Sequence, residues 1–113
     1  MALVYVDKEN FDGEVMNSEN ELVLVDFWAE WCGPCQLLNP IVEEISRDPS
    51  QQIKVCKVNV DTSPDLADRF QIFSIPTVLF FSKGKLLDRI IGYVPKSTFV
   101  RKVNEIRQKA VKV

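Results

Sequence analysis

The chain has 113 residues, 46% hydrophobic and 27% charged, with a net charge of −2 and three cysteines but no histidine. That length predicts one domain over residues 1–113. There is no basic face to recommend nucleic acid or an anionic membrane, and no apolar run near the ~20 residues that cross a bilayer. Three cysteines are too few for a disulfide scaffold or a four-ligand structural zinc, and the missing histidine excludes Cys–His proteases, Cys/His zinc fingers and any histidine base.

Met1-Ala2-Leu3-Val4-Tyr5-Val6-Asp7 lacks a basic n-region and turns acidic early. It does not read as a secretory signal, and with sparse cysteines the expected compartment is reducing, namely the cytoplasm. Leu3 to Val6 is a short strand. Asp7 is placed to cap a helix reaching about Asn17, with Phe11 and Val15 on one face. Leu22 to Trp28 is apolar on both alternating faces, as in a central strand covered above and below. From Gln36 to Arg47, Leu37, Leu38, Ile41, Val42 and Ile45 recur at helical spacing, with Pro40 expected to kink that helix.

Ile53 to Val60 is a second buried strand. Thr62 or Ser63 caps a short helix with Pro64 in its first turn, ending near Phe70. Thr77–Phe81 and Leu86–Ile91 flank a hairpin signature at Ser82-Lys83-Gly84-Lys85. Lys96 to about Val111 is a sheet-covering helix built on Phe99, Val100, Val103, Ile106 and Ala110. This order, with crossovers early and a hairpin late, predicts an α/β fold with a mixed sheet.

Between the first central strand and its helix stands Trp31-Cys32-Gly33-Pro34-Cys35. A dithiol at a helix start faces unpaired backbone N–H groups and the positive end of the helix dipole, both of which favour thiolate. Cys-X-X-Cys beside a βαβ pattern reads as a redox pair, the alternatives being a static disulfide or two inert thiols. Asp26 is a lone acid in an apolar strand, on the side of Leu22 and Leu24, where desolvation raises its pKa. It reads either as a structural acid satisfied by a hydroxyl or water, or as a base.

Val25-Asp26-Phe27-Trp28-Ala29-Glu30-Trp31-Cys32-Gly33-Pro34-Cys35, Pro40, Val58-Asn59-Val60-Asp61, Ile75-Pro76-Thr77, Gly84 and Gly92 stand in register with the thioredoxin family, which the chain resembles nearly end to end. The resemblance implies a thioredoxin fold, with a central five-stranded mixed sheet flanked by four helices. It also implies reduction of protein disulfides by a Cys32–Cys35 pair that a thioredoxin reductase recycles. No bound cofactor is expected, because the dithiol is itself the redox centre, and a monomer is the default.

Cys32 at the helix start is assigned as nucleophile, its pKa below the free value of ~8.5. Cys35 is assigned as the resolving thiol, since i, i+3 spacing keeps the two within disulfide range. The resemblance makes Asp26 the base that deprotonates Cys35, with Lys57 as its neighbour. It makes Ile75–Pro76 a cis bond facing the dithiol, and Trp31, Gly33, Pro34, Ile75, Pro76, Gly92 and Tyr93 an apolar docking surface. Trp28 and Cys56 are assigned to core packing. Gln36 and Tyr93 depart from the family pattern, where a basic and a small residue are common. Gly33-Pro34, without the intervening histidine of oxidases and isomerases, points to a reductant. A binding module using the same apolar surface is the rival from another class.

Overall fold

A computed structural model describes residues 3–20 and 22–112; Met1 and Ala2, part of the N-terminal signal reading, lie outside them. Five strands, β1 (Leu3–Tyr5), β2 (Val23–Trp28), β3 (Lys54–Asn59), β4 (Thr77–Ser82) and β5 (Lys85–Ile91), form one sheet in the order β1-β3-β2-β4-β5. β3 runs parallel to both β1 and β2, whereas β4 is antiparallel to β2 and β5. The expected mixed sheet is therefore present. Its centre is β2, every residue of which is buried except the half-buried Trp28 at its end.

Helices α1 (Gly33–Arg47), α2 (Pro64–Arg69) and α3 (Lys96–Lys112), with a short π-helical segment at Asp12–Met16, are the four helices flanking that sheet. One apolar layer joins Leu22 and Leu24 of the sheet to Leu38, Val42 and Ile45 of α1 and Phe99 and Val103 of α3. The other gathers Phe11, Val15, Phe27, Leu66 and Phe81. In it Phe70 lies 5.2 Å from Phe11 and 5.5 Å from Phe81 between ring centroids. Tilted and edge-on contacts of this kind add to what area burial already contributes.

The first helical element is capped as expected but ends in a different winding. Asp7 Oδ1 accepts from the N–H groups of Glu9 and Asn10 at 2.8 and 3.3 Å, and Asp7 O accepts from Phe11 N–H at 2.9 Å. Past Phe11 the winding is π-type, with Asn17 N–H reaching back five residues to Asp12 O at 2.8 Å. Gly13 lowers helix propensity there. Phe11 and Val15 are both buried, as their spacing predicted.

α1 begins three residues earlier than the apolar pattern alone suggested and remains one helix across Pro40, which is exposed. The hairpin loop is tighter than its signature: Ser82 already pairs with Lys85, leaving only Lys83 and Gly84, both at positive φ. Two-residue loops with both φ values positive match the twist of the flanking strands. A Cβ on Gly84 would stand 3.0 Å from Met16 O, so this turn has room for glycine alone. Among the described residues, no helix is long and apolar enough to cross a membrane.

Candidate active site

β2 carries the chain to Trp28, and the turn through Ala29–Trp31 delivers Cys32 to the N-cap of α1 in extended conformation. Cys32 and Cys35 form a disulfide with their Cα atoms 5.2 Å apart. Cys35 N–H points at Cys32 Sγ from 3.2 Å. It is one of the helix-start donors with no intrahelical partner, and it stabilises negative charge on that sulfur when the disulfide opens. Cys32 retains 4% exposure against 1% for Cys35, so the edge of the disulfide open to a partner is at Cys32. Pro34 stands in the first helical turn, where its missing N–H costs nothing.

From the far side of the sheet's C-terminal edge comes the loop before β4. Ile75–Pro76 is a cis peptide bond, and Ile75 O lies 3.7 Å from Cys32 Sγ. Gly92 N–H donates to Pro76 O at 2.7 Å, which binds the end of β5 to the same corner. Gly92 has φ 85°, a left-handed conformation that glycine adopts without strain. Tyr93 follows it, exposed. Trp31 is 70% exposed, with its Nε1–H donating to Asp61 Oδ2 at 2.9 Å. Trp31, Gly33 and Pro34 adjoin the dithiol along the chain, Ile75 reaches it from the loop before β4, and Gly92 is tied to that loop through Pro76.

Two features of this surface were not foreseen. Phe73 is 91% exposed, and with Trp31, Val60, Ile72 and Ile75 it lines a groove of about 290 Å³ beside the disulfide. A phenylalanine in a turn, outside any periodic apolar pattern, was the available signal. Asp61, at the end of the Val58-Asn59-Val60-Asp61 motif, anchors the Trp31 indole. Gln36, noted as a departure, donates through Nε2 to Glu30 O at 3.2 Å and so braces the active-site turn.

Below the disulfide, Asp26 and Lys57 face each other across the β2–β3 ladder. Both are buried, with Asp26 1% and Lys57 3% exposed. Burial pushes the Asp26 carboxyl up to about 6 from its ordinary 3.8, and Lys57 partly offsets this. No protein group among the described residues donates to either Asp26 oxygen. Lys57 Nζ donates instead to Asn39 Oδ1 at 2.8 Å and sits 4.7 Å from the centroid of the Trp28 ring. Trp28 packs against Ala29, Cys32 and Cys35, as its core assignment required. Cys56 is fully buried and unpaired, its thiol raised to about 11 by desolvation. Among the described residues, no three His, Cys, Asp or Glu side chains are grouped to hold a metal ion.

Comparison with known proteins places this geometry. A protein "Thioredoxin" from Pyropia yezoensis is 45% identical over 105 residues, covering 93% of this chain and 97% of that one. The "Thioredoxin M-type, chloroplastic" of Zea mays is 46% identical over 103 residues, 91% of this chain but 61% of that protein. Among solved structures, the thioredoxin Mala s 13 of Malassezia sympodialis superposes with a TM-score of 0.80 at 28% identity, covering 94% of this chain and 91% of that one.

The cytoplasmic expectation is overturned by these relatives. The Zea mays protein and those from Oryza sativa subsp. japonica and Pisum sativum are named chloroplastic, and the chain spans only 61%, 55% and 58% of their lengths. Few cysteines indicate a reducing surrounding, which more than one compartment provides. A family model described as Thioredoxin matches residues 2–105. The chain belongs to the thioredoxin family, the thiol–disulfide oxidoreductases whose paired cysteines exchange with disulfides.

Proposed function

We propose that this chain, acting as a single thioredoxin domain over residues 1–113 and as a monomer, is a general reductant of protein disulfides. The observation that carries the reading is Cys35 N–H aimed at Cys32 Sγ from 3.2 Å, at the first turn of α1. In the reduced protein the Cys32 thiolate attacks one sulfur of a substrate disulfide and forms a mixed disulfide, and the other substrate sulfur leaves as a thiolate. Asp26 then takes the Cys35 proton, through water where the reach demands it. The Cys35 thiolate attacks Cys32 Sγ and expels the second substrate thiolate. Two electrons have passed to the substrate, and the Cys32–Cys35 disulfide remains to be reduced by a thioredoxin reductase. The dithiol is the redox centre, and no bound cofactor enters the cycle.

Asp26 suits this step because a carboxyl near 6 is ionised at neutral pH yet basic enough to accept a proton. Lys57 limits the cost of the buried anion. Trp31, Gly33, Pro34, Ile75, Pro76, Gly92 and Tyr93 receive the substrate chain, with Ile75 backbone groups pairing with it. Asp26→Ala then slows product release in single-turnover experiments and leaves the first attack largely intact; equal slowing of both steps rejects the base assignment.

The direct test of the reductant is titration of the Cys32–Cys35 pair in a glutathione redox buffer, counting alkylated thiols by mass. A potential at or below the extracted cytosolic glutathione poise of roughly −220 to −260 mV is expected. A value well above it makes the pair an oxidant, as in an oxidase or isomerase.

A further inference from the structure

Lys57 is a buried ammonium with three N–H donors to satisfy, beside a buried carboxylate in register on the neighbouring strand. Opposite charges so placed ordinarily close into an ion pair, since the attraction grows as water is excluded. Here they do not. Neither Asp26 oxygen has a protein hydrogen-bond partner among the described residues, while Lys57 Nζ is held by Asn39 Oδ1 at 2.8 Å and lies 4.7 Å from the Trp28 ring centroid. Asn39 projects from α1 one turn past Cys35 and immediately before Pro40.

We propose that Asn39 is a positioning residue that draws the Lys57 ammonium toward α1 and the Trp28 ring, and so keeps the Asp26 carboxylate free to accept a proton. The inference deepens the reading of Asp26 as the base and rests on it. An ion pair would hold Asp26 as a weak base by stabilising its anion. No lysine at all would leave the full desolvation penalty in place and keep the carboxyl protonated to higher pH. Asn39 sets an intermediate case, in which the lysine acts on Asp26 at a distance.

The surroundings contain little else that could set this balance. β3 presents Lys57 and β4 presents Val78 in register with Asp26, while α3 adds apolar Phe99 and Val103 to the layer on that side. α1 brings Asn39 and carries Cys35, which joins the titrating groups only when the disulfide is open. Lys57 is the one charged group among these.

The test follows the carboxyl carbon of Asp26 by NMR as a function of pH in the full-length oxidised protein, where neither active-site cysteine titrates. Asn39→Ala lowers the Asp26 midpoint by about half a unit or more as Lys57 turns to the carboxylate. Asn39→Leu, close in volume but without an acceptor, lowers it likewise. Lys57→Met raises the midpoint, and adding Asn39→Ala to Lys57→Met produces no further change, because the influence passes through the lysine. In the reduced protein, the acidic limb of the pH profile for mixed-disulfide resolution moves down with the midpoint in Asn39→Ala. An unmoved midpoint in both Asn39 variants overturns the proposal, as does an equal shift with and without Lys57. Failure of the underlying reading is seen separately: resolution unimpaired in Asp26→Asn would reject the base role, while the Asn39-dependent shift measured with Asp26 intact would stand.

Discussion

The two faces of the central strands are built on opposite terms. On one, Val25, Phe27, Cys56 and Val58 meet Phe11, Phe81 and Leu66 in a layer that holds no buried charge among the described residues. On the other, Leu24 and Val55 continue the apolar pattern, but the next positions toward the active site are Asp26 and Lys57, the former without a protein hydrogen-bond partner among the described residues. Strand alternation alone separates the two, since successive side chains point to opposite faces. Both faces hold the sheet through buried apolar layers. The second gives up some of that stability, at the end adjoining the disulfide, for a group that can exchange a proton.

The contrast breaks most completely at the dithiol. Replacing Cys32 and Cys35 together by serine abolishes disulfide reduction while the protein stays folded, as turnover and circular dichroism measured side by side would show; activity surviving the change would instead fit a binding module. On the apolar face, Phe27→Ala leaves a cavity amid Phe11, Phe70 and Phe81 and costs about 3–5 kcal/mol in urea unfolding. A loss below about 1 kcal/mol would mean that the layer collapses around the gap.

At Asp26 the sign is reversed. Its carboxyl is raised from 3.8 to about 6 in the folded state, so the folded protein binds the proton more tightly than the unfolded chain. The stability this confers is complete below pH 4 and is lost as pH rises through about 6. The loss amounts to about 3 kcal/mol at neutral pH. Asp26→Leu removes that pH dependence, so the variant gains on the wild type progressively between pH 4 and 7 in denaturant unfolding. The smallest effect is at Cys56, whose thiol is pushed to about 11. Iodoacetamide at neutral pH modifies Cys32 in the native reduced protein and spares Cys56, whereas unfolding exposes all three thiols.

Most of the scaffold was readable because it follows from periodicity. The apolar run before Trp28, the helical spacing from Leu37 to Ile45 and the Lys83-Gly84 turn each encode one local geometry. The dithiol was readable because its two cysteines and the proline between them act within a single helical turn. The cap at Asp7 was readable because an acid one turn before Phe11 meets the N–H groups of Glu9 and Asn10, whereas the π-type winding over Asp12–Met16 was not, since the spacing of Phe11 and Val15 suits either winding. Asn39 and Phe73 were not singled out for another reason. Asn39 meets Lys57 across 18 positions of sequence, and the exposure of Phe73 depends on how the loop before β4 seats against α2. Such pairings arise only when separate elements dock. The compartment was misread because no residue of a folded catalytic domain has to record where it works.

The disulfide closes a ring between positions only three apart in sequence. By the chain-entropy relation such a ring restricts the unfolded chain by about 2 kcal/mol, against about 4.7 kcal/mol for a 100-residue loop. Oxidation and folding form a thermodynamic cycle, so whatever the bond adds to the fold, the fold adds to the bond, and a short ring keeps that coupling small. A long-range disulfide would make each electron transfer a large change in the stability of the whole chain. With this one, the protein can be charged and discharged repeatedly while its core remains assembled.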